Sequence, residues 1–411
     1  MVEQAGVKAQ PEKRIHNLRL KIDPPLLLAI LSLLAISLLM VYSSSWKSLL
    51  INNRPQYLLV GRQLIFALVG LGIAFGVSHI DYHKYRRLVV PMMIAILLAL
   101  IAVQIFGKEM EFGAKRALFN GSIQPSEPAK LAVILYLAFW LNSKKEVLDQ
   151  INFGLIPLML IVGLTAGLIL IQPDISAMAT VVFLGGLLFF IAGGKMRQIV
   201  SVMLAGALIG FLIVKIYPTA NTRLVDYWNG LQNPTQASDH VKWSFDAIIN
   251  GGVFGMGIGR STTKFVGLPV AHTDSIFSVI AEETGLFGAL VVISLYLVIL
   301  WRGLRIAQNA PDDLGKWLAA GITLWIMTEA AMNMGVLVNL LPFAGNALPL
   351  VSAGGSSMIT TLAGLGLVIN VSRMSGRKQT TEGSAYRAVV NLRRGDRRRS
   401  VSRPVRPASH R

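Results

Sequence analysis

The chain has 411 residues, of which 53% are hydrophobic and only 15% are charged, and its formal net charge at pH 7 is +18. Apolar runs of about 20 residues recur along it, the length that crosses a hydrocarbon core about 30 Å thick. This composition indicates a polytopic membrane protein. The absence of cysteine excludes disulfides, thiol nucleophiles and cysteine-bound metal or iron–sulfur sites.

The apolar runs predict about ten transmembrane helices and an all-α fold class. Strands are excluded as spans because unpaired backbone groups cannot be solvated in lipid, and the runs are too continuous for alternating barrel strands. The first run is too long for a signal peptide and predicts a retained signal-anchor. The predicted spans are residues 25–44, 57–78, 88–106, 126–142, 152–171, 175–192, 199–217, 275–300, 317–339 and 356–372.

Lysine and arginine are distributed unevenly between the loops on the two sides of the predicted membrane. With the N-terminus inside, the inner segments carry 27 of the 39 basic residues and the outer loops carry 9. Both termini are therefore predicted to be cytoplasmic. The predicted organisation is a cytoplasmic segment 1–24, a membrane domain 25–372 with a large extracellular loop 218–274, and a basic cytoplasmic tail 373–411.

The C-terminal tail contains much of the excess positive charge. Its 39 residues include 12 lysines and arginines, with a run at Arg397, Arg398 and Arg399. Such a composition is typical of a disordered segment that lies on anionic lipid. Nucleic-acid binding would need a folded basic surface with stacking aromatics, and the tail offers only Tyr386, so no nucleic-acid partner is expected.

The first chemically distinctive motif, QPSEPAK, opens the fourth predicted helix at residues 124–130. Glu127 and Lys130 are three residues apart and therefore lie on one helix face. The pair is either a structural ion pair at the helix entrance or, together with Arg116 upstream, part of a cationic pocket for an anionic group such as a pyrophosphate.

Two outward turns follow, one near the middle of the chain and one near its end. Gln172-Pro173-Asp174 predicts a tight turn in which Asp174 caps the next helix. The segment 348–357 contains Gly354 and Gly355, which permit a close backbone approach before the last helix. This loop lacks the strand–loop–helix setting and the lysine of a nucleotide P-loop, so nucleotide binding is not predicted there.

Asp274 stands at the start of an apolar helix in LPVAHTDSIFSVIAEETG, residues 268–285. One interpretation is an N-cap that accepts helix N–H bonds. The other is a general base in a partly desolvated cleft, where the pKa of a carboxyl group can rise toward a useful value. The residues alone leave both interpretations open, and one aspartate could serve both roles.

Glu282 and Glu283 lie two turns further along the same helix. An ionised pair inside lipid costs several kcal/mol unless it is paired or faces a cavity. At about 100° per residue, Glu282 falls within roughly 80° of the Asp274 face and Glu283 falls on the opposite side. At least one of the two is predicted to hold the helix bundle together.

The order and spacing of these motifs resemble one family over roughly residues 25–375. GAKRA, QPSEPAKL, QPD, GGVFGMGIGRS with LPVAHTDSIFSVIAEETG, and NMG with GNALPLVSAGGSS are similar to the SEDS proteins of bacterial cell-wall synthesis, RodA and FtsW. The resemblance implies a ten-helix peptidoglycan glycosyltransferase that polymerises lipid II at the outer face of the cytoplasmic membrane. It also implies a penicillin-binding transpeptidase (class B) as partner.

The resemblance assigns the family's essential aspartate to Asp274, which becomes the expected general base. A divalent cation, Mg²⁺ or Mn²⁺, could share the stabilisation of the pyrophosphate, but no ligand cluster in the sequence identifies metal-binding residues, and Val270 stands where the family often has glutamate. Candidate contacts to pyrophosphate or sugar are Arg116, Glu127, Lys130, Arg223, Lys264, His272 and Ser356. Predicted supporting residues are Asp174, Glu282, Glu283, Gly354 and Gly355.

Two other functions remain open at this stage. A many-helix protein with glycine- and proline-broken segments could be a flippase that transports lipid II, although no internal repeat is visible. A non-catalytic scaffold for a transpeptidase is the third possibility, and it would tolerate the loss of Asp274. The motifs do not distinguish roles in cell elongation, cell division or sporulation.

Overall fold

The computed structural model describes residues 23–51, 57–109, 115–117, 124–148, 150–216, 218–268, 271–342 and 344–376. Most of the predicted N-terminal segment 1–24 and the basic tail beyond residue 376 lie outside the described residues. The predictions about those two segments stay predictions.

The described part of the chain is almost entirely helical, which confirms the all-α fold class. A short antiparallel pair, β1 (Lys108–Glu109) with β2 (Lys115–Ala117), lies in the loop before the fourth helix. The π-turn Ile151–Leu155 precedes the fifth helix, and single 3₁₀ turns cover Tyr82–Tyr85, Lys145–Val147 and Pro234–Gln236. The α-helices are α1 Pro24–Ile51, α2 Tyr57–His79, α3 Arg86–Phe106, α4 Ser126–Lys144, α5 Ile156–Ile171, α6 Ile175–Ile191, α7 Met196–Ile216, α8 Pro218–Gln232, α9 Asp239–Gly251, α10 Thr263–Val266, α11 Ile276–Gln308, α12 Asp313–Leu337 and α13 Gly355–Gly376.

Seven of these helices are long and apolar enough to cross a membrane, namely α1, α2, α3, α5, α11, α12 and α13. Helix α6 and the first part of α7 are apolar but shorter. Each of the ten predicted spans coincides with a helix, and the polytopic membrane character is confirmed. The number of ten spans and the cytoplasmic placement of the termini stay predictions.

The core of the bundle is built around α12 and α13, which are largely enclosed by protein, whereas α2 and α3 leave most of their apolar side chains exposed. Helix α11 packs against α1, α9 and α12, and α4 packs against α3, α6 and α12. Trp325 and Tyr296 are among the largest fully buried side chains. Helices α4 and α11, which carry distinctive motifs, therefore each pack against at least three other helices.

The large predicted loop 218–274 is mostly structured, because α8, α9 and α10 lie within it. The helix that follows also differs from its prediction. Helix α11 extends to Gln308 rather than to residue 300, and it is broken at Gly285, whose backbone has φ 69° and ψ −169°. A glycine is required there because side-chain-bearing residues rarely adopt this conformation.

Candidate functional site

Asp274 lies in a turn, residues 271–275, immediately before α11. The N-cap position of α11 belongs to Ser275, whose side chain makes no capping hydrogen bond. The N-cap interpretation of Asp274 is therefore wrong, because the helix begins one residue too late for its carboxylate to occupy that position. The carboxyl group of Asp274 instead forms a hydrogen bond with Thr273.

The backbone of this turn is held by two neighbouring elements. Asn333 of α12 donates its side-chain amide to the carbonyl oxygen of Asp274 at 2.8 Å. Ser352 donates its hydroxyl to the carbonyl oxygen of Thr273 at 2.6 Å. Because both bonds go to main-chain oxygens, they fix the position of the turn without consuming the Asp274 carboxylate.

Burial raises the pKa of the Asp274 carboxyl to about 6, although the side chain is only half-buried by exposed area. The hydrogen bond from Thr273 and the positive charges of Arg116 and Arg223 oppose this rise, and the negative charge of Asp174 adds to it. Desolvation outweighs these opposing charges, so the carboxyl can take up and release a proton near neutral pH.

One side of the Asp274 carboxylate faces a residue without a side chain. A Cβ atom placed on Gly345 would lie 3.0 Å from Oδ2 of Asp274. Any larger residue at position 345 would therefore press against the carboxylate. The absence of a side chain at position 345 therefore leaves room beside this oxygen.

Two arginines lie close to the aspartate. Arg116 of β2 donates its Nε to the carbonyl oxygen of Gln172 at 3.2 Å, and its guanidinium also contacts the carbonyl oxygen of Pro173. Arg223 of α8 is half-buried, and burial together with the nearby Arg116 lowers its pKa. Asp274, Asp174, Arg116 and Arg223, called the Asp274 cluster below, thus combine two carboxylates with two guanidinium groups.

Asp174 caps α6, as predicted, by accepting a hydrogen bond from the backbone of Ala177 at 3.2 Å. It also accepts hydrogen bonds from the side chain of Gln124 at 2.9 Å and from Ser126 at 3.1 Å. Ser356 accepts one from the backbone of Gln124 at 3.2 Å. Asp174 thereby connects the starts of α4 and α6, and the hydrogen bond between Gln124 and Ser356 connects α13 to the start of α4.

Lys130 is enclosed inside the bundle, with only 1% of its surface exposed. Its Nζ lies 2.8 Å from Oε1 of Glu127 and also contacts the carboxylate of Glu329. This geometry favours the structural ion pair over the predicted cationic pocket. Glu329 was not among the sequence candidates, although it is the one carboxylate within the predicted span 317–339, a signal that could have identified it.

Lys264 is likewise buried, with 2% of its surface exposed. Its Nζ lies 2.7 Å from Oε1 of Glu283 and 2.9 Å from Oγ of Ser43. Lys264, Glu283 and Ser43, called the Lys264 cluster below, join α1, α10 and α11. The lysine therefore faces protein oxygens and lies apart from the Asp274 cluster.

Glu282 binds the segment that precedes and opens α10. It accepts hydrogen bonds from the backbone N–H groups of Thr262 at 3.0 Å and Thr263 at 3.2 Å, and from the hydroxyl of Ser261. Glu282 and Glu283 bind the same stretch, residues 259–264. The helical-wheel comparison with Asp274 does not apply, because Asp274 precedes the helix.

Two histidines lie near the Asp274 turn. His272 is half-buried, its carbonyl oxygen accepts a hydrogen bond from the backbone of Ala353 at 2.9 Å, and burial lowers the pKa of its ring. His240 of α9 was not predicted, and its Nδ1 lies 3.0 Å from Oγ of Ser275. Burial, helped by the positive charge of Arg223, lowers the pKa of His240 to about 4, which keeps the ring neutral near pH 7.

The paired glycines at the start of α13 allow a close approach between helices. A Cβ atom on Gly355 would lie 2.6 Å from the ring of Phe66 in α2. The carbonyl oxygen of Gly354 accepts a hydrogen bond from Met358 as α13 begins. A side chain at position 355 would push α2 away from the loop that holds the Asp274 turn.

A divalent cation was a further expectation. Within the part of the chain that the structure describes, no group of three or more His, Asp or Glu side chains is arranged to hold a metal ion. The expectation of a divalent cation beside the pyrophosphate stays a prediction.

The chain resembles known proteins along nearly its whole membrane region. It is 35% identical to the probable peptidoglycan glycosyltransferase FtsW of Geobacter metallireducens, over 86% of this chain and 96% of that protein. It is 36% identical to stage V sporulation protein E of Bacillus subtilis, over 86% and 98% of the two chains.

A solved chain shares the fold. It belongs to a structure described as the structural coordination of polymerization and crosslinking by a peptidoglycan synthase complex, and it superposes with a TM-score of 0.70 at 27% identity over 86% of this chain and 98% of that one. Residues 24–377 match a family model whose description is cell cycle protein. With relatives above 30% identity along most of its length, the chain belongs to the FtsW, RodA and SpoVE family of cell cycle proteins, the SEDS family.

Proposed function

We propose that this protein is a peptidoglycan glycosyltransferase that polymerises lipid II into glycan strands, with Asp274 as the general base. The observation that carries the proposal is the Asp274 carboxyl, whose pKa burial raises to about 6 while two arginines lie beside it. The relative named peptidoglycan glycosyltransferase FtsW supports the reaction class.

The proposed reaction is a single displacement. A hydroxyl group of the acceptor sugar attacks the anomeric carbon of a donor sugar linked to a lipid pyrophosphate, and its proton passes to the Asp274 carboxylate. The new C–O bond forms as the bond to the pyrophosphate breaks, so an α-linked donor yields a β-linked polymer. A base with a pKa near the working pH suits this proton transfer.

The departing lipid pyrophosphate carries negative charge that must be stabilised. We assign this role to Arg116 and Arg223, because both lie close enough to Asp274 to alter its pKa and guanidinium groups match phosphate geometry. Ser356 and His272 lie on segments that border the cluster and are proposed sugar or pyrophosphate contacts. Lys130, Glu127 and Lys264 are assigned to support, because buried ion pairs occupy them.

The setting follows from the same proposal. The active face is the outer face of the bacterial cytoplasmic membrane, as the distribution of basic residues predicts. The partner is proposed to be a class B penicillin-binding transpeptidase, supported by the structural neighbour from a peptidoglycan synthase complex that coordinates polymerization and crosslinking. Membrane lipids and the growing glycan chain are the other expected contacts.

The experiment compares wild type with Asp274→Asn in polymerisation of labelled lipid II, each purified with the cognate transpeptidase. We expect strands from wild type and a loss of about 10²- to 10⁴-fold in the variant, the usual contribution of a general base. The variant should stay folded, because the amide removes the cost of burying an ionised carboxylate. Equal activity of the two proteins would contradict the role of Asp274.

The same preparation separates the other candidate functions. A protein that moves lipid II across liposomes but forms no strands would be a transporter. A chain that shows neither activity, but that the transpeptidase requires for its stability, would be a scaffold. Either outcome would replace the polymerase proposal.

A further inference from the structure

The glycine-rich segment 252–259 of the large loop exposes several apolar side chains. Phe254 is 88% exposed, Val253 58% and Ile258 57%, and Met256 is also exposed. They alternate with glycines of positive φ, which turn the backbone at almost every second residue. In water such a row of exposed apolar groups would be unfavourable.

This segment is joined to α11 by main-chain hydrogen bonds at the point where that helix is broken. The backbone N–H groups of Leu286 and Phe287 donate to the carbonyl oxygens of residues 252 and 253, and those of Met256 and Gly257 donate to the carbonyl oxygens of residues 282 and 283. The break at Gly285 removes the hydrogen-bond partners that these backbone groups would have within a continuous helix. The segment supplies partners in their place. Its position is fixed relative to α11.

Residue counts along α1 and α11 give the distance between this junction and the opposite side of the membrane. The ion pair between Asp23 and Arg302 joins one end of α1 to the distal part of α11. Ser43 and Glu283 meet at 2.5 Å, 20 residues further along α1 and 19 residues back along α11. At 1.5 Å per residue both helices place the two contacts about 30 Å apart, the thickness of the hydrocarbon core.

The glycine-rich segment thus lies at one edge of the hydrocarbon, at the level where α11 enters it. Its apolar residues continue the exposed apolar surface of α11, where Leu286 is 55% and Phe287 69% exposed. The surface continues on α11 with Leu290, 51% exposed. These residues lie within the apolar span of α11, so we expect lipid to be the neighbour of their exposed side chains.

We infer that residues 253–258 insert their apolar side chains among the acyl chains of the leaflet nearest the Asp274 cluster, and so anchor the large loop to the membrane. The occupant of this surface is lipid, because the surface is continuous with a lipid-facing helix and lies at the hydrocarbon edge. The anchor would hold α9, which packs on α11, at a fixed height beside the Asp274 turn. This inference does not depend on the reaction that the protein catalyses.

The chain contains no cysteine, so single labelling sites can be introduced without removing native ones. The test places a nitroxide at Phe254→Cys and, separately, at Ile258→Cys in the full-length protein reconstituted into phosphatidylglycerol and phosphatidylethanolamine liposomes. Collision with oxygen, which partitions into lipid, is compared with collision with a water-soluble nickel complex. Leu290→Cys on α11 is the lipid control, and Gln236→Cys, at an exposed position of the same loop, is the water control.

We expect the ratio of oxygen to nickel accessibility at positions 254 and 258 to be several-fold above that at position 236 and close to that at position 290. Ratios equal to the water control at both positions would overturn the anchor. Water-exposed labels that become protected only when the transpeptidase is added would assign the surface to a protein partner instead. Two independent positions keep the result interpretable if one variant fails to fold.

Discussion

The two ends of the short helical segment 276–284 carry ionisable groups in opposite situations. At one end, the Lys264 cluster pairs a buried ammonium with a buried carboxylate at 2.7 Å, and hydroxyl and backbone groups satisfy the remaining oxygens. At the other end, burial raises the pKa of the Asp274 carboxyl to about 6, and one of its oxygens lies beside Gly345, which has no side chain. A carboxylate in direct contact with a buried ammonium makes a structural ion pair, whereas a carboxyl group whose desolvation outweighs the neighbouring positive charges can exchange a proton.

Removing one charged partner of the Lys264 cluster should have the largest effect. Lys264→Met would leave the Glu283 carboxylate buried without its counter-charge, and we expect a loss of about 3–5 kcal/mol in stability. The measurement is the thermal unfolding midpoint in detergent. The double variant Lys264→Met with Glu283→Gln should recover much of the loss, because it removes both charges. A single variant as stable as wild type would show that the pair contributes nothing to the fold.

Removing a guanidinium group from the Asp274 cluster should leave the fold intact and slow the reaction. We expect Arg223→Gln to lower kcat for lipid II polymerisation by about 10²-fold, the usual cost of losing one group that stabilises developing negative charge. Arg260→Gln is the matched control, because it removes the same charge from an exposed position in the same loop. Equal losses in the two variants would indicate a general effect of charge rather than a role at the Asp274 cluster.

A methyl group beside the carboxylate should have the smallest effect. Gly345→Ala would place a Cβ atom 3.0 Å from Oδ2 of Asp274, tighter than ordinary van der Waals contact, and we expect a loss of about tenfold in kcat/KM with little change in thermal stability. Gly186→Ala on α6, where a Cβ would meet no atom within 4 Å, is the control. Unchanged polymerisation by Gly345→Ala would show that this side of the carboxylate is not used.

The difference between the two clusters was only partly predictable. The lengths of the apolar runs predict the helices, because a membrane span depends on its own residues. The order of the motifs indicates the family and identifies Asp274 as the candidate base. Helix spacing predicts Glu127 as one partner of Lys130, but the second partner, Glu329, lies 199 residues away on α12, and no local spacing connects the two. The sequence therefore leaves a ligand contact open for Lys130 and Lys264, whereas the structure pairs both lysines with carboxylates.

The break in α11 was also beyond local prediction. Gly285 lies in a sequence that continues an apolar helical pattern, and its unusual conformation depends on the approach of residues 252–257 from the loop. A Cβ at this position would lie 2.4 Å from the backbone of Gly255. The requirement for glycine is a tertiary contact, which a helical wheel does not represent.

The pH dependence of polymerisation tests the assignment of Asp274 most directly. Because its pKa is raised to about 6 and only the ionised carboxylate can accept the hydroxyl proton, kcat/KM for wild type should rise with pH through about 6 and level off above it. The residual activity of Asp274→Asn should lack this step, measured over the same pH range with folding monitored in parallel. A wild-type rate that is flat from pH 5 to pH 8, or an identical step in the variant, would contradict the role of Asp274 as the base.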